Sequence, residues 1–442
     1  MSLFPHLFRA RSLDPNPQPS CARRQWRAAV VLAAALIAAA VALPAGAAGD
    51  ALSLAEAIRL AVAKSPQLGS QRAMADAARE MAGPAGELPD PKLRVGIENV
   101  PTEGADAWSL TRDFMTMTRI GLMQEFPRAE KRELKSQRAL RDAERGAAVI
   151  EVTTLTIRRE AATAWLARRY AAEAERLIAD QIAEAELVVT TTAAAYRAGT
   201  APQSEVIATQ AAVLELRNRA TEAAMQAKRA RIALARYIGA DAERPLGEAP
   251  DVARLPFDPA RLADIEAQPE IRLARAQESV AAAESDIARA AKLPDWSAEV
   301  SYAVRGPTYA NMVSLMFSID LPWSPGTRQE REYAAKLKEH DAAREMREDT
   351  LRMRRAEVES MRAEWEAARF QAVRIRSEML PLAAQRREAA LAAYRGGIGM
   401  LAAVLEARRA ELDVQLALVQ QEQAAAKAWA WLNFVVPLTE AS

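Results

Sequence analysis

Two kinds of apolar periodicity alternate along this chain, and each occurs twice. Around Leu54, Ala57, Ile58 and Ala61 apolar residues recur at three- and four-residue spacing, the mark of a helix with one buried stripe. Ser65-Pro66 interrupts that helix and Gly83-Pro84 ends or bends it. The period then changes to two. Over Lys92 to Val100, Leu93, Val95 and Ile97 share one face, and over Thr116 to Glu125 so do Thr118, Ile120 and Leu122. A polar loop with Pro101, Gly104 and Asp106 separates these runs, so the stretch 92–125 reads as a hairpin with a long loop. After Phe126-Pro127 the helical period returns and holds. Residues 128–196 carry dense Ala, Arg and Glu with no proline and one glycine, Gly146. A continuous helix there would be on the order of 100 Å long, more than an ordinary globular domain accommodates. Gly199-Thr200-Ala201-Pro202 turns the chain, and 203–238 return as a second helix.

The whole plan then repeats. A Pro-rich connector (241–260) leads to a short helix from Pro269, strands over Trp296–Val304 and Met312–Leu321, a helix over 328–394 and a last helix over 401–431. Leu88-Pro89-Asp90 returns as Leu293-Pro294-Asp295, and Tyr196-Arg197-Ala198-Gly199 returns as Tyr394-Arg395-Gly396-Gly397. The chain is a tandem duplication, with repeats over 49–240 and 261–436, and duplicated units must bury their faces against each other or against further copies. Strands of about ten residues with one apolar and one polar face match the wall of a transmembrane β-barrel. Four strands cannot close a barrel, so several chains must share one. Trp296 and Trp323 at the helix-side strand ends, with Tyr302 and Tyr309 at the loop ends, are placed as an aromatic belt would be.

Composition narrows the function. Arg23, Arg24 and Arg27 precede an apolar run from Ala28 to Leu43 and then small residues, which reads as a cleaved secretory signal over 1–48. Its removal takes five arginines and Asp14 from 59 basic and 58 acidic residues and leaves a net charge of −3. No basic field for nucleic acid survives. Cys21 and His6 also leave, so the mature chain has no cysteine and one histidine, His340. That excludes a Cys or His metal cluster and a disulfide framework, and with no Gly-rich phosphate loop either, an enzyme is disfavoured and no cofactor is expected.

The opening Leu52-Ser53-Leu54-Ala55-Glu56-Ala57-Ile58, Ser65-Pro66, the two Leu-Pro-Asp leads, the Phe126-Pro127 and Leu321-Pro322 exits and the paired Tyr-Arg-x-Gly turns occur in one order over residues 50–436. In that order the chain resembles the TolC-type outer-membrane efflux proteins. The resemblance implies a mostly α fold with a small β part: a homotrimer, four strands per protomer in a twelve-stranded barrel in outer-membrane lipid, and long helices forming a periplasmic α-barrel. It implies an exit duct served by a periplasmic adaptor (membrane fusion) protein and, through it, an inner-membrane pump of the resistance-nodulation-division (RND) class. By the same resemblance the hairpin tips, with Tyr196, Arg197, Gly199 and Thr200 on one and Tyr394, Arg395, Gly397, Ile398 and Gly399 on the other, are the adaptor-docking, periplasmic end. Family members often carry Asp-Val-Leu-Asp beyond the second tip; here the stretch is Ala403-Val404-Leu405-Glu406, so one acidic ring, from Glu406, is expected at the gate and a second is not.

The segments Gly96-Ile97-Glu98-Asn99-Val100 and Met123-Gln124-Glu125-Phe126-Pro127 are similar to the heavy-metal branch of that family. Methionines also gather near the strands (Met115, Met117, Met123, Met312, Met316), and they read either as ligands for soft Cu(I) or as flexible apolar filler. A multidrug duct, a type I secretion channel and a soluble periplasmic coiled-coil adaptor are the alternative readings.

Overall fold

The computed structural model describes residues 51–435; the signal segment expected over 1–48 lies outside them. The first repeat comprises α1 (Leu54–Lys64), α2 (Pro66–Ala85), β1 (Lys92–Glu98), β2 (Met117–Phe126), α3 (Ala129–Arg197) and α4 (Gln203–Ile238). Three short 3-10 turns follow (Gly239–Glu243, Pro259–Ala263, Ile265–Ala267). The second repeat comprises α5 (Pro269–Ala290), β3 (Trp296–Arg305), β4 (Met312–Ile319), α6 (Gln329–Arg374), a π-helical segment (Ile375–Met379), α7 (Leu380–Arg395) and α8 (Leu401–Asn433).

Local chemistry sets the boundaries. Ser53 caps α1 by accepting from the Glu56 N–H, and Ser65 caps α2 by accepting from the Leu68 N–H. Gly83-Pro84 does not end α2: Pro84 lies within it and the helix runs on to Ala85. The second Leu-Pro-Asp anchors the start of α3. Asp295 accepts from the backbone N–H of Arg128 at 3.1 Å and from Lys131 Nζ at 2.9 Å. The helix expected to be continuous over 328–394 is instead divided. Pro381 has no N–H to give to the carbonyl four residues back, and the wider π turn over Ile375–Met379 absorbs the mismatch just upstream.

The four strands form one antiparallel sheet in the order β1-β2-β3-β4, leaving β1 and β4 as its edges. The helices that flank the strands in sequence pack in the matching order: α2 on α3, α3 on α5, α5 on α6. Glu284 of α5 ties three of them together by accepting from Arg138 of α3 at 3.1 Å and Lys336 of α6 at 3.0 Å. Burial pushes its carboxyl up, but these two hydrogen bonds outweigh burial and hold it below the usual range.

The apolar core sits midway along the long helices, where the shorter ones end against them. Ile157, Ala161, Trp165 and Leu166 of α3 meet Ala57 and Ala61 of α1, Leu234 and Ile238 of α4, and Ala426, Trp429 and Leu432 of α8. Alanine dominates these contacts because helices approach most closely where side chains are short.

Candidate functional site

The sheet has two chemically distinct faces. Register places Val95, Ile120, Tyr302 and Val313 side by side in one row, and Leu93, Leu122, Val300 and Leu315 in the next. This face is apolar and uncovered: Leu315 is 72% exposed and Phe317 70%. At its foot Phe126 stacks on Trp296 with ring centroids 4.2 Å apart.

The opposite face is polar and ion-paired. Glu299 of β3, only 6% exposed, accepts from Arg94 of β1 at 3.1 Å and Arg119 of β2 at 3.0 Å. Arg119 also pairs with Glu98 at 3.1 Å and donates Nε to Ser301 Oγ at 2.8 Å. A glycine is required beside this cluster. A Cβ on Gly121 would lie 2.9 Å from the Ser301 Cβ and 3.0 Å from Glu299 Oε1.

The two hairpin tips are built alike. Gly199 and Gly397 adopt φ of +74° and +75°, the left-handed conformation that lets a helix close on its own last carbonyls. Each turn then makes the same bond: Thr200 N–H to the Ala195 carbonyl at 2.9 Å, Ile398 N–H to the Ala393 carbonyl at 3.1 Å. Gly399 folds back so closely that a Cβ would meet that of Ala393 at 2.9 Å. Tyr196, Arg197, Arg395 and Ile398 are exposed, Ile398 at 88%. The tips are joined by one bond, from Tyr394 Oη to Glu205 Oε2 on the first turn of α4 at 3.1 Å. Partial burial, then the carboxylate acceptor, pushes the Tyr394 hydroxyl above its ordinary pKa.

Glu406 is exposed on α8 and lines a groove of about 240 Å³ with Leu405, Ala208 and Ala212. Ion pairs next to it lash α8 to the first-repeat hairpin: Arg219 to Asp413 at 2.6 Å, Arg409 to Glu215 at 2.9 Å and Arg408 to Glu184 at 3.6 Å. The structure thus brings Tyr394 to the first hairpin, while Glu406 stands apart from the turns, on the helix that leads away from one. Glu205, Arg219, Asp413 and the Arg94–Arg119–Glu299 cluster escaped the sequence reading. The strand cluster had a visible signal, charged residues at alternating positions of β1, β2 and β3.

Among the described residues no helix is long and apolar enough to cross a membrane, and no group of His, Cys, Asp or Glu is arranged to hold a metal. No protein with a curated description matches the chain in sequence. The family model described as outer membrane efflux protein matches residues 264–436, the second repeat. Solved structures place the fold. A membrane protein from Pseudomonas aeruginosa superposes with a TM-score of 0.74 at 17% identity, covering 87% of this chain and 90% of that one. The outer membrane protein VceC of Vibrio cholerae gives 0.70 at 19%, covering 87% and 95%. The open-state MtrE channel of Neisseria gonorrhoeae gives 0.69 at 19%, covering 87% and 88%. The fold is therefore that of the TolC-like channels.

Proposed function

We propose that this chain is an outer membrane efflux protein, the exit duct of a tripartite exporter formed by three copies of it. The observation that carries the reading is the pairing of a lipid-compatible sheet with two open edges, β1 and β4, on a helical layer whose own edges, α2 and α6, follow the same order. A sheet in lipid cannot leave its edge N–H and C=O groups unpaired, and β4 of one copy against β1 of the next satisfies them. Three such joints give twelve strands, with the apolar face to lipid and the Arg94–Arg119–Glu299 face to the lumen. The hairpin tips with Tyr196, Arg197, Gly199, Thr200, Tyr394, Arg395, Gly397, Ile398 and Gly399 form the adaptor-docking end, and Glu406 contributes a negative ring near it. The adaptor in turn couples the duct to an inner-membrane pump of the RND class.

Metal cations are the cargo favoured by the similarity of residues 96–100 and 123–127 to the heavy-metal branch. The test of the duct is reconstitution: the purified protein should run as a heat-dissociable trimer from the outer-membrane fraction and conduct in planar bilayers. A monomer without conductance overturns the reading. The test of the cargo is growth of a deletion strain on Cu, Ag, Zn, Co and Cd salts beside drugs and detergents. Sensitivity to organic compounds alone would move the protein to multidrug efflux.

A further inference from the structure

Methionine distribution within the sheet is one-sided. The strands hold four methionines, Met117 and Met123 in β2 and Met312 and Met316 in β4, and all four lie on the polar face. Met123 and Met316 stand in one row on either side of Glu299, while Met312 shares a row with Ala303 and Arg119, and Met117 is paired with Arg305. The apolar face, where a filler for lipid contact would sit, is instead made of Leu, Val, Ile and Phe. Met123 and Met316 line one recess of about 300 Å³ with Glu299, Arg94, Asp295 and Asp320. The Met312 thioether meets a polar partner, Arg305 Nη1 at 3.8 Å.

An apolar side chain on a water-facing wall forgoes burial worth roughly 1.5–3 kcal/mol, so filling does not explain this placement. Coordination does. Each carboxylate within the strands is already neutralised: Glu98 by Arg119, Glu125 by Lys92 and Glu299 by Arg94 and Arg119. Within the strands hard divalent cations therefore find no uncommitted carboxylate; Asp320, just past the end of β4, is the one acid of the recess without an ion pair among the described residues. Thioether sulfur is a soft neutral donor that selects Cu(I) and its congener Ag(I) over Zn(II) or Mg(II). Successive rows on one face are roughly 7 Å apart along a strand. The row of Arg94, Gly121, Ser301 and Ser314 holds no methionine, so the methionine rows step roughly 14 Å and then roughly 7 Å along the wall, from the recess beside Glu299 toward the loop that carries Met115.

We infer that these four methionines form a ladder of weak sites for soft monovalent cations on the inner wall of the barrel. This rests on the duct reading, which assigns the polar face to the lumen, and it narrows the cargo within it to Cu(I)-like ions. Neutral ligands suit a conduit, because a site that carries cargo must release it as readily as it binds it.

The experiment is calorimetric titration of the full-length purified protein with silver nitrate in chloride-free buffer. The comparison is the variant carrying Met117→Leu, Met123→Leu, Met312→Leu and Met316→Leu, whose volume-conserving changes preserve packing. Wild type should bind silver saturably and undisturbed by excess zinc; the variant should bind at least tenfold more weakly while keeping its heat-dissociable trimer. Should the fourfold variant not assemble, Met123→Leu with Met316→Leu, which removes only the pair flanking Glu299, carries the comparison. Met346→Leu with Met353→Leu, on exposed positions of α6, should leave silver uptake unchanged. Equal uptake by wild type and strand variant, or displacement of silver by zinc, overturns the ladder. Bilayer conductance of the wild type separates the two claims. Conduction without silver binding removes the ladder and keeps the duct, whereas silver binding without conduction keeps the thioether site and removes the duct.

Discussion

Trp165 and Trp365 hold equivalent posts in the two repeats. Trp165 donates its indole N–H to the Leu52 carbonyl at 3.0 Å, and Trp365 donates to the Val252 carbonyl at 2.9 Å. In each case the acceptor lies 113 residues earlier, so both ends of the bond are displaced by the same number of positions. Duplication has preserved a tertiary contact that fastens the incoming segment of each repeat to its own long helix.

Replacing either tryptophan with phenylalanine strands a carbonyl. The cost of an unsatisfied buried acceptor is about 1–3 kcal/mol. Trp165→Phe should lower the thermal midpoint of the trimer more than Trp365→Phe, because Trp165 is 0% exposed and Trp365 is 8%. Differential scanning fluorimetry in detergent measures both.

At the tips, Gly397→Val forces a β-branched residue into φ of +75°, at about 1–2 kcal/mol. Since the tip is remote from the core belt, trimer formation should survive while site-specific crosslinking of the tip to the periplasmic adaptor falls. Tyr394→Phe should leave the turn intact and loosen only its tie to Glu205, with a smaller drop in crosslinking. Unchanged crosslinking in both would remove the docking role from this tip.

Glu406→Ala should reduce cation-over-anion selectivity in single-channel recordings at low salt, and Glu406→Gln should match it. Retained selectivity in both variants would return Glu406 to the ordinary solvated surface.

Gly121→Val drives side-chain atoms into the Glu299–Ser301 site and breaks the Arg94–Glu299–Arg119 pairing on which β1, β2 and β3 converge. A buried charge stripped of its partners costs about 3–5 kcal/mol. The expected result is loss of the heat-dissociable trimer, seen by electrophoresis of unboiled samples, with long-helix circular dichroism largely kept.

Acid should loosen the entry segment. The hydrogen bond from Arg244 holds the Glu56 carboxyl below its usual range, and that from Lys64 does the same for Asp241. Depressed carboxylates contribute stability that is full above their ordinary pKa of about 4 and is lost as pH falls through the lower folded values. Hydrogen exchange over 52–64 should therefore be flat from neutral pH down to about 5 and rise below about 4. Glu56→Gln combined with Asp241→Asn should show the looser state already at neutral pH.

Much of this fold was legible along the chain because its punctuation is local. Prolines and glycines end the long helices, alternation marks the strands, and paired motifs reveal the duplication, all within windows of a few residues. Contacts that depend on register across the two repeats were not legible. Glu299 meets Arg94 and Arg119 only because β3 of the second repeat pairs with β2 of the first, and Tyr394 finds Glu205 only because the two hairpins lie against each other. The π segment was missed for a different reason: Pro381 sits in a run so rich in helix formers that the pattern outweighed the one residue that disturbs it. For the methionines, alternation put each on a strand and out of phase with the apolar residues, but which groups stand beside it emerged only from the neighbours that register supplied.

The matching order of strands and helices has a mechanical corollary. Where the strands adjoin, every lateral joint is a row of backbone hydrogen bonds that fixes neighbours about 4.8 Å apart. Along the helices the same neighbours are held by alanine contacts and ion pairs such as Arg138–Glu284–Lys336, which can slide or exchange without breaking a covalent or backbone-bonded frame. In the proposed duct one end of each chain is thus bound like a hoop and the other like staves, and any widening of its bore falls to the staves.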